Sequence, residues 1–155
     1  MREILFKAKH KGTGKWIEGF YCSLQETTYC FKEDYERFPV QTHHYIVQDT
    51  MTDWGLPNKF SFYEIDPSTL CQFTGLIDKN GKKIFENDIV GLHSEYQEKY
   101  YCGQVKYGEF NCSCCDGVYG WYFDNEDIRY YKNYEVIGNV FDNPELLTER
   151  TMAEI

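Results

Sequence analysis

The residues best suited to chemistry are the cysteines of the sequence FNCSCCDG. Cys112, Cys114 and Cys115 lie there, and Cys102 and His93 precede them. Structural zinc sites use four thiolate or imidazole ligands in a tetrahedron, usually as pairs from two separate turns. The spacing C-x-C-C departs from this pattern, because adjacent residues on a strand point to opposite faces. We therefore predict ordinary thiols near a hairpin and commit to no metal site, with zinc at Cys102, Cys112 and Cys114 or Cys115 as the alternative.

Other groups that could catalyse a reaction are scattered along the chain. His43 and His44 are adjacent and would diverge on a strand. Glu33, Asp34 and Glu36 form an acidic run, whereas acid–base catalysis needs carboxylates opposed across a pocket. The sequence GTGKW lacks the spacing and the hydroxyl residue of a phosphate loop, and no serine lies in a G-x-S-x-G motif. We predict a solvated loop for the acidic run, no catalytic residues and no cofactor, and we favour a protein that is not an enzyme.

Basic residues gather in two short stretches that could contact nucleic acid. These residues, with the aromatic ring beside them, are Lys7, Lys9, Lys11, Lys15 and Trp16 in the first stretch and Lys79, Lys82 and Lys83 in the second. Lysines with an interleaved aromatic ring can bind single strands through charge and stacking. The chain as a whole opposes this, because 16 Lys+Arg against 25 Asp+Glu give a net charge of −9. Nucleic acid is therefore a possible but disfavoured partner.

The elements that must position these residues are predicted to be strands. Aromatic residues make up 18% of the 155 residues, and Tyr, Phe, Val and Ile recur at alternating positions. We predict a mostly β protein with little helix: an N-terminal antiparallel β lobe over residues 1–70, a small C-terminal β-barrel of the Src-homology type over residues 71–147, and a frayed tail over residues 148–155. The sequence does not decide between two separate domains and one compact domain made of both lobes.

The second lobe has the clearest turn and strand signals. Asn80-Gly81 suits a type I′ hairpin turn, in which both central residues need a positive φ. The residues predicted to fill much of the barrel interior are Ile84, Phe85, Ile89, Val90, Val136 and Ile137.

Two stretches of the chain resemble the signature blocks of the YopX family of bacteriophage and prophage proteins. They are QFTGLIDKNGKKIFENDIV at Gln72–Val90 and EVIGNVFDNPELL at Glu135–Leu147. The opening MREILFKAKHKGTGKWI also resembles the N-terminus of that family. Asn87 stands where the family commonly has glycine, and asparagine tolerates the left-handed conformation. The resemblance implies a phage-encoded, mostly β protein without an established activity, and no catalytic residues transfer with it.

We interpret the matched polar and glycine residues as a structural motif. Its members are Gly75, Asp78, Asn80, Gly81, Glu86, Asp88, Gly138, Asn139 and Pro144. Glycines allow turns and close backbone approach, and an aspartate can cap a turn through its side chain. Glu86 and Asp88 could together suit a cation, but stabilisation of a turn is the favoured role.

Partners and location follow from what the sequence contains and lacks. No stretch approaches the roughly 20 apolar residues of a membrane span, and residues 1–15 carry charges without an apolar signal. We expect a soluble protein in the cytoplasm of a bacterial host cell, with reduced thiols and no membrane contact. Tyrosine-rich surfaces are good protein anchors. The predicted function is that of a phage- or prophage-derived accessory protein, a non-catalytic module that binds an unknown protein partner, with a homo-oligomer as a further option.

Overall fold

The computed structural model describes residues 3–26, 29–52, 56–94, 99–112, 115–123, 126–130 and 133–148. The chain divides into two compact units, Ile4–Leu70 and a unit formed by Glu3 with the chain from Cys71 onward. Most regular structure in both units is antiparallel strand, which confirms the mostly β prediction. The assignment of two lobes as separate domains remains a prediction, and the tail predicted to fray lies beyond the described residues after Thr148. No helix in the described ranges is both long and apolar enough to cross a membrane.

The first unit is built on one antiparallel sheet. Its elements are β1 (Phe6–Lys9), β2 (Trp16–Gln25), α1 (Lys32–Arg37), β3 (Thr42–Thr52), β4 (Leu56–Glu64) and a 3₁₀ turn at Pro67–Thr69. The strand order is β4-β3-β2-β1. The acidic run Glu33, Asp34 and Glu36 lies in α1, so the loop predicted for it is wrong. Glutamate, lysine and arginine are good helix formers, and this preference outweighs the polarity that suggested a loop.

The sheet curls because β2 changes its partner midway. Residues Trp16–Gly19 pair with β1, and residues Phe20–Gln25 pair with β3. The curl brings the end of β4 to the end of β1, where His10 and Ile65 form an antiparallel bridge. The concave side holds the core of this unit. Its buried side chains are Ala8, Ile46 and Ile65, with Phe6, Ile17, Tyr21 and Leu70 packed against them.

The second unit contains a hairpin and two three-stranded sheets. Its elements are β5 (Cys71–Ile77), β6 (Lys83–Phe85), β7 (Asp88–Ser94), β8 (Lys99–Gln104), β9 (Lys106–Cys112), β10 (Cys115–Phe123), β11 (Glu126–Asp127), a 3₁₀ turn at Ile128–Tyr130, β12 (Glu135–Asn139) and α2 (Glu145–Thr148). The sheets have the orders β12-β7-β8 and β11-β10-β9, and β5 pairs with β6. They share a core of Ile84, Val90, Leu92, Val105, Trp121, Phe123, Ile128, Tyr134 and Val136. Closure of these strands into a barrel remains a prediction.

Two expectations for the second unit need correction. Gly81 has a φ of 82°, but Asn80 is not among the residues of positive φ, so the turn is not type I′. The Asp78 carboxylate accepts the N–H groups of Asn80 and Lys82 and holds a wider turn between β5 and β6. Ile137, expected in the core, is 37% exposed, because it is the extra residue of a β-bulge between Val136 and Gly138. The other five predicted interior residues are buried.

Candidate functional site

The candidate site is the convex side of the β4-β3-β2-β1 sheet, opposite the core of the first unit. Residues paired directly across antiparallel strands share a face. Phe20 pairs with Val47, and Val47 pairs with Phe62, so three apolar side chains form a row across three strands. Phe20 and Phe62 are each 57% exposed. The centre of this side of the sheet is therefore apolar and open.

The row continues in both directions along the strands. Phe60, 61% exposed, lies two residues from Phe62, and Leu24, 52% exposed, lies further along β2. The Tyr45 ring meets the Phe62 ring edge-on, with 6.3 Å between centroids. We call the set Phe20, Leu24, Tyr45, Val47, Phe60 and Phe62 the aromatic face. Monomeric proteins rarely leave so many neighbouring apolar side chains open, and such patches usually mark interaction sites.

A charged network borders the aromatic face. The His43 ring contacts two carboxylates: its Nδ1 lies 3.0 Å from Glu64 Oε1 and its Nε2 lies 2.8 Å from Glu26 Oε1. The Lys11 ammonium donates to the same Glu64 oxygen at 2.6 Å. Hydrogen bonds to Glu26 and then to Glu64 raise the pKa of His43, and hydrogen bonds from Lys11 and then His43 lower the pKa of Glu64. Because both ring nitrogens face carboxylates, the arrangement favours the imidazolium form.

His44 occupies a different environment from its neighbour. It lies on the concave side, where its ring stacks on that of Tyr21 and its Nδ1 is 2.7 Å from the Tyr21 hydroxyl oxygen. Adjacent histidines on β3 thus point to opposite faces of the sheet.

We expect the His43 imidazolium to titrate above the ordinary histidine pKa of 6.5. Glu64→Gln should lower that pKa, because a neutral amide no longer favours the charged ring. The network's contribution to stability is fully present below the unfolded pKa and is lost as pH rises through the raised folded pKa. A proton NMR titration of the imidazole measures this. Glu33→Gln, which removes an exposed carboxylate from α1, is the control, and an equal response to both variants would contradict the assignment.

The carboxylates of the signature blocks are engaged with the backbone. Asp78 accepts N–H groups from Asn80 at 2.8 Å and Lys82 at 2.9 Å through Oδ1, and from Val136 at 3.1 Å through Oδ2. Burial alone would raise the pKa of Asp78, but these bonds and the charge of Lys82 lower it overall. Asp88, 1% exposed, accepts the Phe85 N–H at 2.8 Å. These two groups hold turns and strand junctions.

The remaining motif residues also have structural contacts. Gly75, with a φ of 87°, lies in an irregular part of β5, and Asn87 adopts a φ of 65°, as expected for asparagine in place of glycine. A Cβ on Gly138 would lie 2.7 Å from Asn143 Oδ1. Asn139 Oδ1 accepts the N–H groups of Phe141 and Asp142 at 3.0 Å each. The backbone N–H of Glu86 donates to Gln72 at 2.8 Å, and Pro144 directly precedes α2.

Several of the lysines proposed for nucleic-acid contact form ion pairs. Lys11 pairs with Glu64, Lys79 with Glu135 at 2.6 Å, and Lys83 with Glu3 at 3.6 Å. The Lys7 and Lys9 ammonium groups lie 5.1 Å and 5.5 Å from the Trp16 ring centroid. Lys15 and Lys82 are exposed. The first stretch lies in the Ile4–Leu70 unit and the second in the unit that continues from Cys71.

The cysteine cluster falls mostly outside the described part of the chain. Cys114 and the side chains of Cys112, Cys115 and His93 are not described, and Cys102 is buried. The Cys102 thiol is 3.9 Å from the Leu146 carbonyl oxygen. Among the described residues, no three His, Cys, Asp or Glu side chains gather as metal ligands. The zinc alternative therefore stays a prediction.

The aromatic face was not singled out in the sequence analysis. A signal for it does exist in β4, where apolar residues occupy both alternating sets. Phe60 and Phe62 lie on one face, and Tyr63 and Ile65, the residue after β4, lie on the other. A strand that is apolar on both faces usually has packing partners on both.

Carboxylates that accept backbone N–H groups and glycines of positive φ lie among the antiparallel strands of this mostly β protein. The chain belongs to the YopX protein family, whose model matches residues 5–148, and this confirms the resemblance found in the two sequence blocks. It is similar to a solved structure, the crystal structure of protein EF1440 from Enterococcus faecalis, at 22% identity and a TM-score of 0.52 over 95% of this chain and 99% of that chain. That likeness shows the fold alone. None of the curated protein sequences matches significantly.

Proposed function

We propose that this chain is a phage- or prophage-derived accessory protein of the bacterial cytoplasm that acts as a non-catalytic protein-binding module. The observation that carries the proposal is the aromatic face: Phe20, Phe60 and Phe62 are each more than half exposed, on the two strands that flank β3. Covering such rings with a protein partner removes apolar area from water, which is the main favourable term in association. Large aromatic side chains are also the most common anchors of protein interfaces.

The border of the aromatic face suits a protein interface. Interfaces combine an apolar centre with a polar rim that remains partly wet. Here Glu18 and Asp49 lie on the same side of the sheet, and the His43 network with Glu26 and Glu64 lies at one end. These groups can orient a partner, while the rings supply the affinity.

The signature carboxylates support a non-catalytic role. Asp78 and Asp88 are buried and accept backbone N–H groups, so their charges stabilise turns. General acid–base catalysis needs groups that reach a substrate. A turnover that disappears on substitution of the partly exposed Glu86 would overturn this part of the proposal.

Nucleic-acid binding is the second candidate function, and one observation favours it. Lys7 and Lys9 flank the Trp16 ring and form a small basic and aromatic surface on β1 and β2. Lys11, Lys79 and Lys83 are paired with glutamates, and the net charge of −9 repels phosphates. The protein-binding proposal is therefore preferred. A zinc-binding β protein is the third candidate and depends on Cys102, Cys112, Cys114 and Cys115.

Affinity capture from extracts of the bacterium that carries the gene tests the proposal. We expect tagged wild-type protein to retain a defined set of proteins, identified by mass spectrometry, that Phe62→Ser fails to retain. The matched control is Tyr119→Ser, because Tyr119 is 67% exposed but lies in the second unit. Circular dichroism should show both variants folded, since neither ring is buried. Retention of the same proteins by wild type and Phe62→Ser would refute a role for the aromatic face.

A further inference from the structure

The helix α1 has an unusual position for a short helix. It spans Lys32–Arg37, contains no buried residue, and its N-cap Phe31 makes no side-chain capping bond. Isolated helices shorter than about 12 residues are marginal in water and normally depend on packing of one face. Within its own chain α1 has little of that packing. A surface that covers it would therefore stabilise it.

Three large apolar side chains of this segment are open to solvent. Phe31 and Phe38 flank α1 as its N-cap and C-cap residues, and Tyr35 lies within the helix between them. Phe31, Tyr35 and Phe38 are 68%, 45% and 65% exposed. The Tyr35 hydroxyl accepts a hydrogen bond from Gln25 Nε2 at 3.3 Å, so the segment lies beside the end of β2. We call Phe31, Tyr35 and Phe38 the helix face.

We propose that the helix face of one copy of this chain packs on the aromatic face of a second copy, and that the exchange is reciprocal. This rests on the proposed function and names the partner of its binding surface. Within one copy both faces are exposed, so they do not cover each other. Two copies related by a two-fold axis form the same contact twice and close the assembly.

The area available fits a stable dimer. The exposed members of the two faces are Phe20, Leu24, Phe60, Phe62, Phe31, Tyr35 and Phe38, which are between 45% and 68% exposed. Since such side chains bury roughly 150–250 Å² when fully covered, each has about 100 Å² left to cover. The sum, about 700 Å² per copy, is close to the ~800 Å² per partner of a standard interface.

Sedimentation velocity of the full chain over a range of micromolar concentrations tests the proposal. We expect a reversible dimer for wild type, and for both Phe62→Ser and Phe38→Ser an association weaker by about 30-fold or more. Tyr119→Ser is the control and should associate as wild type does. A monomer at every concentration would overturn the proposal. A dimer that is weakened by Phe62→Ser but not by Phe38→Ser would also overturn it, since the contact would then be sheet against sheet.

Mixing the two defective variants gives the sharper result. Phe62→Ser retains an intact helix face, and Phe38→Ser retains an intact aromatic face, so only the mixed dimer has one undamaged contact. We expect the equimolar mixture to associate more strongly than either variant alone. No gain on mixing would contradict reciprocal exchange. The affinity capture tests the proposed function independently of the dimer. If wild type is monomeric but still retains other proteins through Phe62, this inference is refuted and the proposed function is supported.

Discussion

Gly19→Ala is expected to destabilise the Ile4–Leu70 unit by at least about 3 kcal/mol, the upper range for overpacking. A Cβ at Gly19 would lie 2.4 Å from the Val47 carbonyl oxygen and 2.8 Å from Ile46 Cγ2. The carbonyl belongs to the backbone of β3, which cannot withdraw without disturbing its pairing with β2 and β4. Ile46 is fully buried, so its side chain cannot move away at low cost.

The position of Gly19 explains why the cost is large. It is the last residue of β2 that pairs with β1, directly before Phe20 begins the pairing with β3. Chemical denaturation measures the effect. Gly108→Ala is the control, because the nearest atom to its Cβ would be Tyr122 Cε1 at 3.9 Å. A loss for Gly19→Ala that equals the small loss of this control would show that β3 can shift freely.

Asp78→Ala is expected to cost about 3–5 kcal/mol, because it leaves one buried and two partly buried backbone donors without an acceptor. The carboxylate accepts N–H groups from Asn80, Lys82 and Val136 and thereby ties the β5–β6 turn to β12. Asp78→Asn keeps an oxygen of the same shape but presents an amide to one donor, so an intermediate loss is expected. Urea denaturation followed by circular dichroism measures both variants.

The matched control for Asp78 is Asp66→Ala. Asp66 accepts only local bonds from Ser68, at 3.0 Å to its N–H and 2.7 Å to its hydroxyl, at an exposed site. Loss of such a cap costs about 1 kcal/mol. Because the folded pKa of Asp78 is lowered, its contribution is present above the unfolded value of 3.8 and is lost as pH falls through the folded pKa. Equal losses for Asp78→Ala and Asp66→Ala would refute the bridging role.

The residues behind these predictions differ in how much of their role the sequence indicates. Asp78 and Gly138 belong to blocks for which the sequence predicts turns and close backbone approach, because residue type alone indicates such contacts. The type I′ turn at Asn80-Gly81 was wrong for a reason that is local but easily missed. The Asp78 side chain competes for the turn's own N–H groups and widens it.

The helix α1 and the aromatic face show where sequence reasoning stopped. The acidic run Glu33, Asp34 and Glu36 predicts a solvated loop, because its own residues show no apolar periodicity, whereas the structure has the helix α1 there. The outer position of Phe20 and Phe62 depends on which way the sheet curls. An alternating pattern identifies two faces of a strand but does not say which of them is enclosed.

The sequence by itself determined the strand class, the family, the positive-φ turns at Gly81 and Asn87, and part of the second unit's interior. Each of these follows from residue type and from alternation over a few neighbours, which act within the strand or turn itself. Only the tertiary structure decided that β2 changes partner after Gly19, that His43 lies between Glu26 and Glu64, and that aromatic rings cover the convex side. Burial and pairing between distant segments depend on the whole chain, so no short stretch can specify them.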